Sequence, residues 1–439
     1  FFDKDRRFFM SGVTNLINHI KLPKFVKAHQ IFEHNELTEA QITEMLNKGF
    51  ENPEITSKIK PGMRICITCG SRGISNMPFV TKSIVNFLKS LGAEPFCIPT
   101  MGSHGGATAE GQIGILESLG ITEEAMGCPI LSTMETVKIS HVSSDGEDFD
   151  VCIDKNAYEA DGIIALNRVK AHTSFQGPYE SGLMKILTIG IGKQYGAHIC
   201  HANGDDSMSH RIGLNATEVI KHANVIMGVA LLENSFDKTF YVEAMPGTEI
   251  PKREPDLLKM AKAAMGRIWI DECDTLIVRE IGKNYTGAGM DPNIVGRCVN
   301  PKIKMGIEAQ RIGILDLTPE SHGNATGMGR ADFAPKRFYD KVSLDDTYPN
   351  AITSYNTSAY KIPLIVKNDK EVFEACIASS IKIDYDNPHI IVINNSLEIE
   401  EMLISTSLIE EATKTGHISI ESEPFDLEFD AEGNLVTKF

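Results

Sequence analysis

The sequence predicts an α/β protein of two domains with mainly parallel sheets and an active site in the cleft between the domains. A chain of 439 residues exceeds one ordinary hydrophobic core and suits two or three domains. Its strand-like segments are continuously apolar and alternate with amphipathic helical segments, which is typical of parallel strands covered by helices on both faces. A content of 42% hydrophobic and 23% charged residues allows a sizeable core in a soluble globular protein.

The first domain is predicted from an alternation of strands and helices between about residues 61 and 270. Apolar residues three and four positions apart, from Val80 to Leu91, define the buried face of its first helix, and Gly92 is expected to end that helix. The predicted elements are strands at 64–68, 94–99, 162–166 and 225–231, and helices at 78–91 and 108–119.

A second domain is predicted from the apolar segments 274–281, 311–317 and 389–393. A proline-containing stretch and a helix over 256–265 precede it, which places the boundary just after that helix. The domains are therefore expected to comprise residues 1–272 and 273–405. The segment from about 406 to 439 is expected to pack back onto the first domain.

The net charge limits the partners that the protein can have. Lysine and arginine number 43 against 59 aspartates and glutamates, which gives a formal charge of −16. Such a chain is not attracted to nucleic acid or to an anionic membrane by its overall field. A small anionic substrate would therefore need a locally positive pocket, and the sequence leaves a homo-oligomer open.

Nine scattered cysteines indicate reduced thiols and a cytoplasmic location rather than a disulfide framework. Cys66 and Cys69 form a CxxC pair without a second pair, so we interpret them as strand residues rather than zinc ligands. The sequence has no apolar run of about 18 residues that would predict a membrane-spanning helix. The first ten residues lack the long apolar stretch of a secretion signal.

Two glycine-rich loops that follow predicted strands carry candidate site residues, because ligands of open parallel sheets bind beyond the carboxyl ends of the strands. Arg72 lies among Gly70, Ser71 and Gly73 and suits a bidentate clamp for a carboxylate; a solvated loop arginine is the alternative. His104 lies in Met-Gly-Ser-His-Gly-Gly, just before a helix. It suits a general base or an anion site, and a turn histidine is the alternative.

The segment after the third predicted strand is the richest in reactive side chains, with His172, Lys185, Lys193, His198 and His201. The apolar neighbours of Lys185 predict burial, which depresses the pKa of a lysine and makes its neutral amine available as a nucleophile. His198 and His201 would share a helix face, and one of them could bind nickel or zinc. The alternative is a polar surface loop with incidental histidines.

This set of residues resembles the lactate racemase family, over most of the chain and most densely between Arg72 and His201. That family has a histidine in a glycine-rich loop, a second histidine after a strand, and a lysine in a Lys-x-Ile-Leu-like setting. A further histidine follows sixteen residues beyond the lysine. Here these residues are His104, His172, Lys185 and His201, and Arg72 matches an arginine that the family has after an early strand.

The resemblance implies a nickel pincer nucleotide as cofactor (pyridinium-3,5-bisthiocarboxylic acid mononucleotide nickel), covalently linked to Lys185. It implies that His201 completes the nickel coordination, and that Gly105, Gly106 and Arg72 help to bind the cofactor. Members of the family depend on accessory enzymes that make this group. Protein produced without those enzymes is therefore expected to carry an unmodified lysine.

The implied reaction inverts C2 of a 2-hydroxy acid by moving hydride to a cofactor carbon and back. Direct removal of the C2 proton would leave a carbanion beside a carboxylate, whereas removal of hydride gives a planar 2-keto acid that can accept hydride on either face. A base on each side must take the hydroxyl proton, and His104 and His172, with an ordinary pKa of about 6.5, suit that task near neutral pH. Arg72 would hold the carboxylate.

The sequence departs from the lactate enzymes in the second domain. Gly296 and Val299 stand where those enzymes carry a glutamine and a lysine for substrate contact. Asp291, Asn293 and Arg297 are therefore the predicted substrate contacts of this chain. The substrate is expected to be larger and more polar than lactate, for example a sugar acid that is epimerised at C2.

Three other interpretations remain. A nicotinamide-dependent dehydrogenase would need a Gly-x-Gly-x-x-Gly turn after a strand, and Gly190-Ile-Gly192 lacks the third glycine. A non-catalytic nickel- or nucleotide-binding protein would keep the lysine and the metal-binding histidine without needing the two substrate-flanking ones. A zinc hydrolase could use His198 and His201, but no carboxylate completes a His-Glu-x-x-His pattern.

Overall fold

The computed structural model describes residues 11–202, 204–353 and 356–439. The opening ten residues, predicted to lack a secretion signal, lie outside the described residues. The strands are β1 (Phe25–Gln30), β2 (Arg64–Cys69), β3 (Glu94–Pro99), β4 (Thr136–Ser144), β5 (Glu147–Asp154), β6 (Gly162–Arg168), β7 (Val225–Glu233), β8 (Thr239–Pro246), β9 (Glu272–Ile281), β10 (Glu308–Leu317), β11 (Phe333–Pro335), β12 (Leu364–Val366), β13 (Ile390–Ile393), β14 (Glu401–Ser405) and β15 (Ile418–Ile420).

The helices vary from single turns to four turns. In chain order they are α1 (Ser11–Ile17), α2 (Glu39–Phe50), α3 (Pro53–Thr56), α4 (Met77–Ser90), α5 (Ala109–Ser118), α6 (Glu123–Met126), α7 (Lys155–Tyr158), α8 (Leu183–Lys185), α9 (Lys193–His201), α10 (Met208–His222), α11 (Ile250–Ala264), α12 (Pro292–Val295), α13 (Lys336–Tyr339), α14 (Leu344–Thr353), α15 (Asp369–Ser379) and α16 (Ile409–Lys414). A π-helical turn, Ile186–Gly190, joins α8 to the segment before α9. None of the described helices is long and apolar enough to cross a membrane.

Local sequence explains where several helices begin and end. The Thr108 hydroxyl accepts a hydrogen bond from the Gly111 amide and so caps the start of α5. Gly92 has a φ of +78°, a conformation that favours glycine, and it reverses the chain after α4. The predicted strand at 94–99 and helix at 108–119 are confirmed, with the ends of that helix serving as its caps.

Helix α11 begins earlier than predicted. Pro255 lies inside it, where a proline removes the amide that would bond to the carbonyl four residues before. That carbonyl belongs to Pro251, and it accepts a hydrogen bond of 2.9 Å from the Tyr179 hydroxyl instead. A side chain remote in sequence therefore satisfies the group that Pro255 leaves unbonded, and the helix continues.

The chain folds into two compact units. The central unit comprises Glu33–Met265, and the terminal unit comprises the described residues up to Phe32 and those from Gly266 onwards. This division differs from the predicted domains of residues 1–272 and 273–405. Strand β1 pairs with β14 and with β15, so the beginning of the chain and the segment 406–439 both belong to the terminal unit.

The central unit contains a five-stranded sheet in the order β3-β2-β6-β7-β8. The first four strands are parallel, and β8 is antiparallel to β7. Alternate residues of β2 face opposite sides, with Ile65 and Ile67 in one apolar core and Cys66 in the other. The prediction of a mainly parallel sheet covered on both faces is confirmed, and β4 and β5 form a separate antiparallel hairpin.

The terminal unit contains an eight-stranded sheet in the order β12-β11-β10-β9-β13-β14-β1-β15. The five strands from β12 to β13 are parallel, whereas β14, β1 and β15 continue the sheet in antiparallel fashion. The parallel part confirms a second α/β domain. The antiparallel part uses strands from both ends of the described chain, which the periodicity of single segments did not reveal.

Candidate functional site

The strand order of the central unit places three predicted loops at one edge of its sheet. The chain moves from β2 to β3 on one side and later returns to β6 on the other side of β2. The carboxyl ends of β2 and β6 therefore flank the point where the strand order reverses, which is where open α/β sheets bind ligands. The loop of Arg72 follows β2, the loop of His104 follows β3, and the loop of His172 follows β6.

Lys185 ends α8, immediately before the π-helical turn. Buried Glu254 accepts a hydrogen bond of 2.8 Å from the Met184 amide and so satisfies an amide at the start of this short helix. A Cβ atom on Gly182 would lie 2.3 Å from a Glu254 carboxylate oxygen, so the approach requires glycine. Burial raises the pKa of Glu254 to about 7, against the hydrogen bonds from the amides of Met184 and Leu183.

The helical turn that carries Lys185 is irregular. A π-helical turn is uncommon and is often found at functional sites. Gly190 within it lies against the end of β3, because a Cβ there would be 2.8 Å from the Thr100 carbonyl oxygen. The Gly190 carbonyl accepts a hydrogen bond of 3.3 Å from the Gly102 amide. The π turn therefore contacts the loop of His104.

The loop of His172 is held by a buried carboxylate. Glu180 accepts hydrogen bonds from the His172 amide at 2.8 Å and from the Gly177 amide at 3.1 Å. Its other bond is an ion pair of 2.6 Å with Lys262 of α11. The imidazole stacks on buried Phe175, with 4.0 Å between ring centroids.

Phe175 also joins the loop to the candidate lysine. The Lys185 Nζ lies 5.9 Å from the centroid of the Phe175 ring, within the range of a cation–π contact. His172 and Lys185 therefore share one aromatic neighbour, although thirteen residues separate them in the sequence.

His172 lies among three other predicted residues. Although part of the residue remains exposed, enclosure of its ring by protein is the main reason that its pKa is well below 6.5. The positive charges of Lys185, His201 and Arg72 lower this pKa further. The structure therefore brings four of the predicted residues into one electrostatic cluster.

A hydrogen bond selects the tautomer of neutral His172. The Ser174 amide donates to Nδ1 of His172 at 3.1 Å. A ring nitrogen that accepts a hydrogen bond carries no proton, so the neutral ring carries its proton on Nε2. In this state Nε2 is a hydrogen-bond donor rather than an acceptor.

His201 and His198 differ in their surroundings. Burial is the main reason that the pKa of half-buried His201 is lowered, and the charge of Lys185 lowers this pKa further. His198 is exposed on the same face of α9 as Gln194 and Tyr195. His201, not His198, is therefore the histidine of α9 that lies near Lys185.

Arg72 has a like charge as its neighbour. Its side chain is exposed, yet partial enclosure by protein and the charge of Arg168 lower its pKa. Arg168 forms an ion pair with buried Glu233, and Glu233 also accepts a hydrogen bond of 2.6 Å from the Ser75 amide. Within the described part of the chain, no side chain forms an ion pair with Arg72.

His104 is exposed in the loop after β3. Its Nδ1 lies 2.6 Å from the hydroxyl of Ser71, the residue before Arg72. Gly105 and Gly106 both have a φ near +65°. A Cβ on Gly105 would lie 2.7 Å from the Gln112 amide, whereas Gly106 faces open space. Gly105 is therefore required by packing on α5, and Gly106 leaves room beside the histidine.

The predicted substrate contacts of the terminal unit are engaged in internal bonds. Buried Asp291 caps α12 by accepting a hydrogen bond from the Asn293 amide, and the Asn293 side chain donates to the same carboxylate oxygen, both at 2.9 Å. Arg297 forms an ion pair of 2.6 Å with Asp332 and donates to the carbonyl of Arg330 at 3.0 Å. These contacts support structural roles, and substrate contact by these residues stays a prediction.

Several residues that hold the site were not singled out from the sequence. Glu254 lies on a helix 69 positions beyond Lys185, and nothing in its local pattern indicates contact with that turn. Phe175 and Glu180 lie within the predicted His172 segment, but an aromatic residue and a carboxylate there are ordinary loop residues. Ser71 was treated only as a flexible neighbour of Arg72.

The structure also bears on the alternative interpretations. Gly190 and Gly192 lie at the end of the π turn rather than between a strand and a helix, so they do not form a dinucleotide-binding turn. Cys66 and Cys69 are buried strand residues, as predicted. Across residues 11–202, 204–353 and 356–439 no group of three or more His, Cys, Asp or Glu side chains could hold a metal ion.

Comparison with known proteins gives two findings. A family model described as a domain of unknown function, DUF362, matches residues 59–245. A solved structure, the lactate racemase apoprotein from Thermoanaerobacterium thermosaccharolyticum, is similar at 14% identity and a TM-score of 0.49, over 85% of this chain and 99% of that chain. No curated protein matches. The segment matched by the family model contains every predicted residue from Arg72 to His201.

Proposed function

We propose that this protein is a racemase or epimerase that inverts C2 of a 2-hydroxy acid. Its cofactor in this proposal is the nickel pincer nucleotide, attached to Lys185. The observation that supports the proposal most strongly is the cluster of Arg72, Lys185, His172 and His201 at the reversal point of the central sheet. An acidic chain of net charge −16 that keeps the cationic side chains of Arg72 and Lys185 close to His172 at a ligand-binding edge suits an anionic ligand.

Arg72 is the group best suited to the carboxylate of such a ligand. Its guanidinium lies near Arg168, whose own charge is compensated by Glu233. A carboxylate that bound Arg72 by two parallel hydrogen bonds would offset the repulsion between the two guanidinium groups. This gain in electrostatic stability supports the carboxylate clamp over the alternative of a solvated loop arginine.

The side chains present fit the proposed cofactor by their chemistry. Lys185 provides a half-buried primary amine, which could condense with a thiocarboxylic acid group of the cofactor to form a thioamide, with loss of water. His201 provides an imidazole nitrogen donor near that amine, and imidazole is a suitable nickel ligand. When bound, the cofactor would supply a carbon that accepts hydride and returns it. The protein's own residues would bind and orient the substrate.

The two substrate histidines have different roles in this proposal. Neutral His172 carries its proton on Nε2, because Nδ1 accepts the Ser174 amide, so it would donate a hydrogen bond to a substrate oxygen. His104 can present an unprotonated Nε2 if its Nδ1 donates to the Ser71 hydroxyl. His104 is therefore the group that would take the hydroxyl proton first.

We further propose that the substrate is larger and more polar than lactate, such as a sugar acid. This extension depends on two sequence features of the terminal unit: Gly296 and Val299 stand in place of the glutamine and lysine of lactate racemases, and polar residues lie nearby. Asp291 and Arg297 are polar but already bonded internally, so a change in those bonds on substrate binding is part of the proposal. A screen of 2-hydroxy acids with chains of three to six carbons tests it directly.

The first experiment tests cofactor attachment. The protein is produced together with enzymes that make the nickel pincer nucleotide, and the Lys185 peptide is analysed by mass spectrometry together with the bound nickel. We expect a covalent mass increase on Lys185 that the Lys185→Arg variant loses and the matched Lys170→Arg variant keeps. An unmodified lysine in fully supplied cells would contradict the cofactor assignment.

The second experiment tests the metal ligand and the reaction. His201→Gln should lower the nickel content of the loaded protein, whereas His198→Gln, three residues away and exposed, should not. Loaded wild-type protein is then incubated with single enantiomers or epimers of 2-hydroxy acids, and the loss of optical purity is followed. If loaded protein leaves every acid unchanged, the racemase proposal fails, and carriage of the cofactor becomes the better account.

A further inference from the structure

Lys193 is a lysine that the proposed reaction does not use, and its side chain is fully buried. Its Nζ lies 3.0 Å from a carboxylate oxygen of buried Asp154. It donates to the carbonyl of Pro99 at 2.5 Å and to the side-chain oxygen of Gln112 at 3.0 Å. One ammonium group therefore joins the ends of β3 and β5, the helix α5 and the start of α9.

Gln112 continues this network to the loop of His104. Its side-chain amide donates to the carbonyl of Gly102 at 2.9 Å and to the carbonyl of His104 at 3.2 Å. Gln112 is itself fully buried. The bond to Lys193 fixes which end of the amide is the acceptor, so the NH₂ group must point towards the loop.

Lys193 also occupies a costly backbone position. Its φ is +54°, in the left-handed region that residues with a Cβ disfavour. Burying an ion pair costs several kcal/mol in desolvation, and apolar residues of similar volume often stabilise a fold as well or better. Stability alone therefore does not account for this arrangement, whereas a fixed geometry between loop and helix does.

The two ends of the network belong to the candidate site. Helix α9 begins at Lys193 and ends at His201. The π turn that precedes α9 begins directly after Lys185. We propose that Lys193 is a positioning residue, which acts through Gln112 to fix the loop of His104 against the helical segment of Lys185 and His201. The proposal rests on the proposed function only where it assigns His104 a task in the reaction.

The test uses the apoprotein first, so that it does not depend on activity. The readout is the two-bond ¹H–¹⁵N spectrum of the His104 ring, assigned by its loss in His104→Gln. Lys193→Met combined with Asp154→Asn removes both buried charges, and Gln112→Met removes the link while leaving the ion pair. Lys155→Met is the matched control, because this exposed lysine pairs with Glu135 at 2.8 Å on the surface.

We expect the His104 ring signals to move in the double variant and in Gln112→Met, in the direction given by Ser71→Ala, which removes the direct partner of the ring. Lys155→Met should leave them in place. A folded double variant with unchanged His104 signals would overturn the proposal. If the double variant does not fold, unchanged His104 signals in Gln112→Met would be sufficient to overturn the proposal.

Activity of the loaded enzyme provides the second readout. A displaced base lowers kcat by about 10–100-fold, while KM should change by less than about 3-fold because Arg72 remains in place. An unchanged kcat in Gln112→Met would also overturn the proposal. If the ring signals move but wild-type holoprotein racemises nothing, the positioning inference stands and the proposed function fails.

Discussion

The parallel strands of the two units end in loops with many polar side chains, but the units use those side chains differently. In the terminal unit, Arg297 is paired with Asp332, and Asp291 is occupied by Asn293. In the central unit, Arg72 has a like charge as its neighbour, and His172 lies among cationic groups. The predicted polar contacts of the terminal unit are therefore bonded internally, whereas the central unit places the charges of Arg72 and Lys185 close to His172.

This difference shows what a polar loop after a strand does and does not indicate. The sequence pattern was similar in both units, and it predicted ligand contacts in both. The two cases are distinguished only by the hydrogen-bond and ion-pair partners of each side chain in the folded protein. These partners show whether a polar group stabilises its own loop or can bind a ligand. Substitutions in both units test this separation.

His104→Gln tests whether the central edge carries out the reaction. Loss of a positioned base should lower the rate of interconversion by about 10²–10⁴-fold, measured from each enantiomer separately. His172→Gln keeps an N–H donor and is expected to lose less. His222→Gln, an exposed histidine of α10, is the control. Equal losses in the first two variants would contradict the different roles given to the two histidines.

Arg72→Lys tests the carboxylate clamp. Lysine keeps the charge but cannot form two parallel hydrogen bonds, so kcat/KM should fall by about 10–100-fold, mainly through KM. Arg64→Lys changes an arginine at the opposite end of β2 and should have little effect. If Arg72→Lys leaves KM unchanged, Arg72 does not bind the substrate carboxylate and the contrast between the two edges weakens.

Glu254→Gln tests the buried carboxyl that holds the Lys185 turn. The folded carboxyl stays protonated up to a pKa of about 7, whereas an unfolded one ionises near pH 4.5. The folded state therefore binds more protons between these values, and the free energy of unfolding falls as the pH rises through them. Glutamine cannot ionise, so the variant should be more stable than wild type above pH 7, by on the order of 3 kcal/mol.

At about pH 4 and below the same variant should match wild type, because the glutamate is then largely neutral in both the folded and the unfolded state. The free energy of unfolding from urea titrations at pH 4 and pH 8 measures the difference, with exposed Glu117→Gln of α5 as control. A variant that is less stable than wild type at pH 8 would contradict the raised pKa.

Asp291 of the terminal edge should show the smallest effect. Asp291→Ala removes the cap of α12 and should cost about 1 kcal/mol of stability. Asp291→Asn keeps an oxygen acceptor for the Asn293 amide and should be close to neutral. If Asp291→Asn raises KM strongly while stability is unchanged, Asp291 contacts substrate and the terminal edge is also a binding site.

The comparison of sequence and structure shows which elements can be predicted. Strands β2, β3 and β7 are continuous apolar runs with clear breaks, and they were expected at nearly their observed positions. Strand β1 was not, because its burial alternates and its partners β14 and β15 come from the far end of the chain. The early start of α11 was hidden for a similar reason, since it depends on the hydroxyl of Tyr179.

The candidate site was predicted to a similar extent. Arg72, His104, His172, Lys185 and His201 were proposed from residue type, loop position and spacing. Their roles still await experiment, but four of them share one electrostatic environment. The supporting residues could not be predicted in this way, because a glutamate that caps a turn 69 positions away has no local signal.

The amino-acid sequence by itself determined the α/β class and the set of loops that follow the parallel strands, because apolar runs and glycine-rich breaks are local properties. The tertiary structure decided which of those loops meet. The reversal of strand order between β2 and β6, together with the π turn after Lys185, gathers the cationic groups at one edge. The tertiary structure also decided that Asp291 and Arg297 are bonded internally, because partners that are remote in sequence become neighbours only in the folded chain.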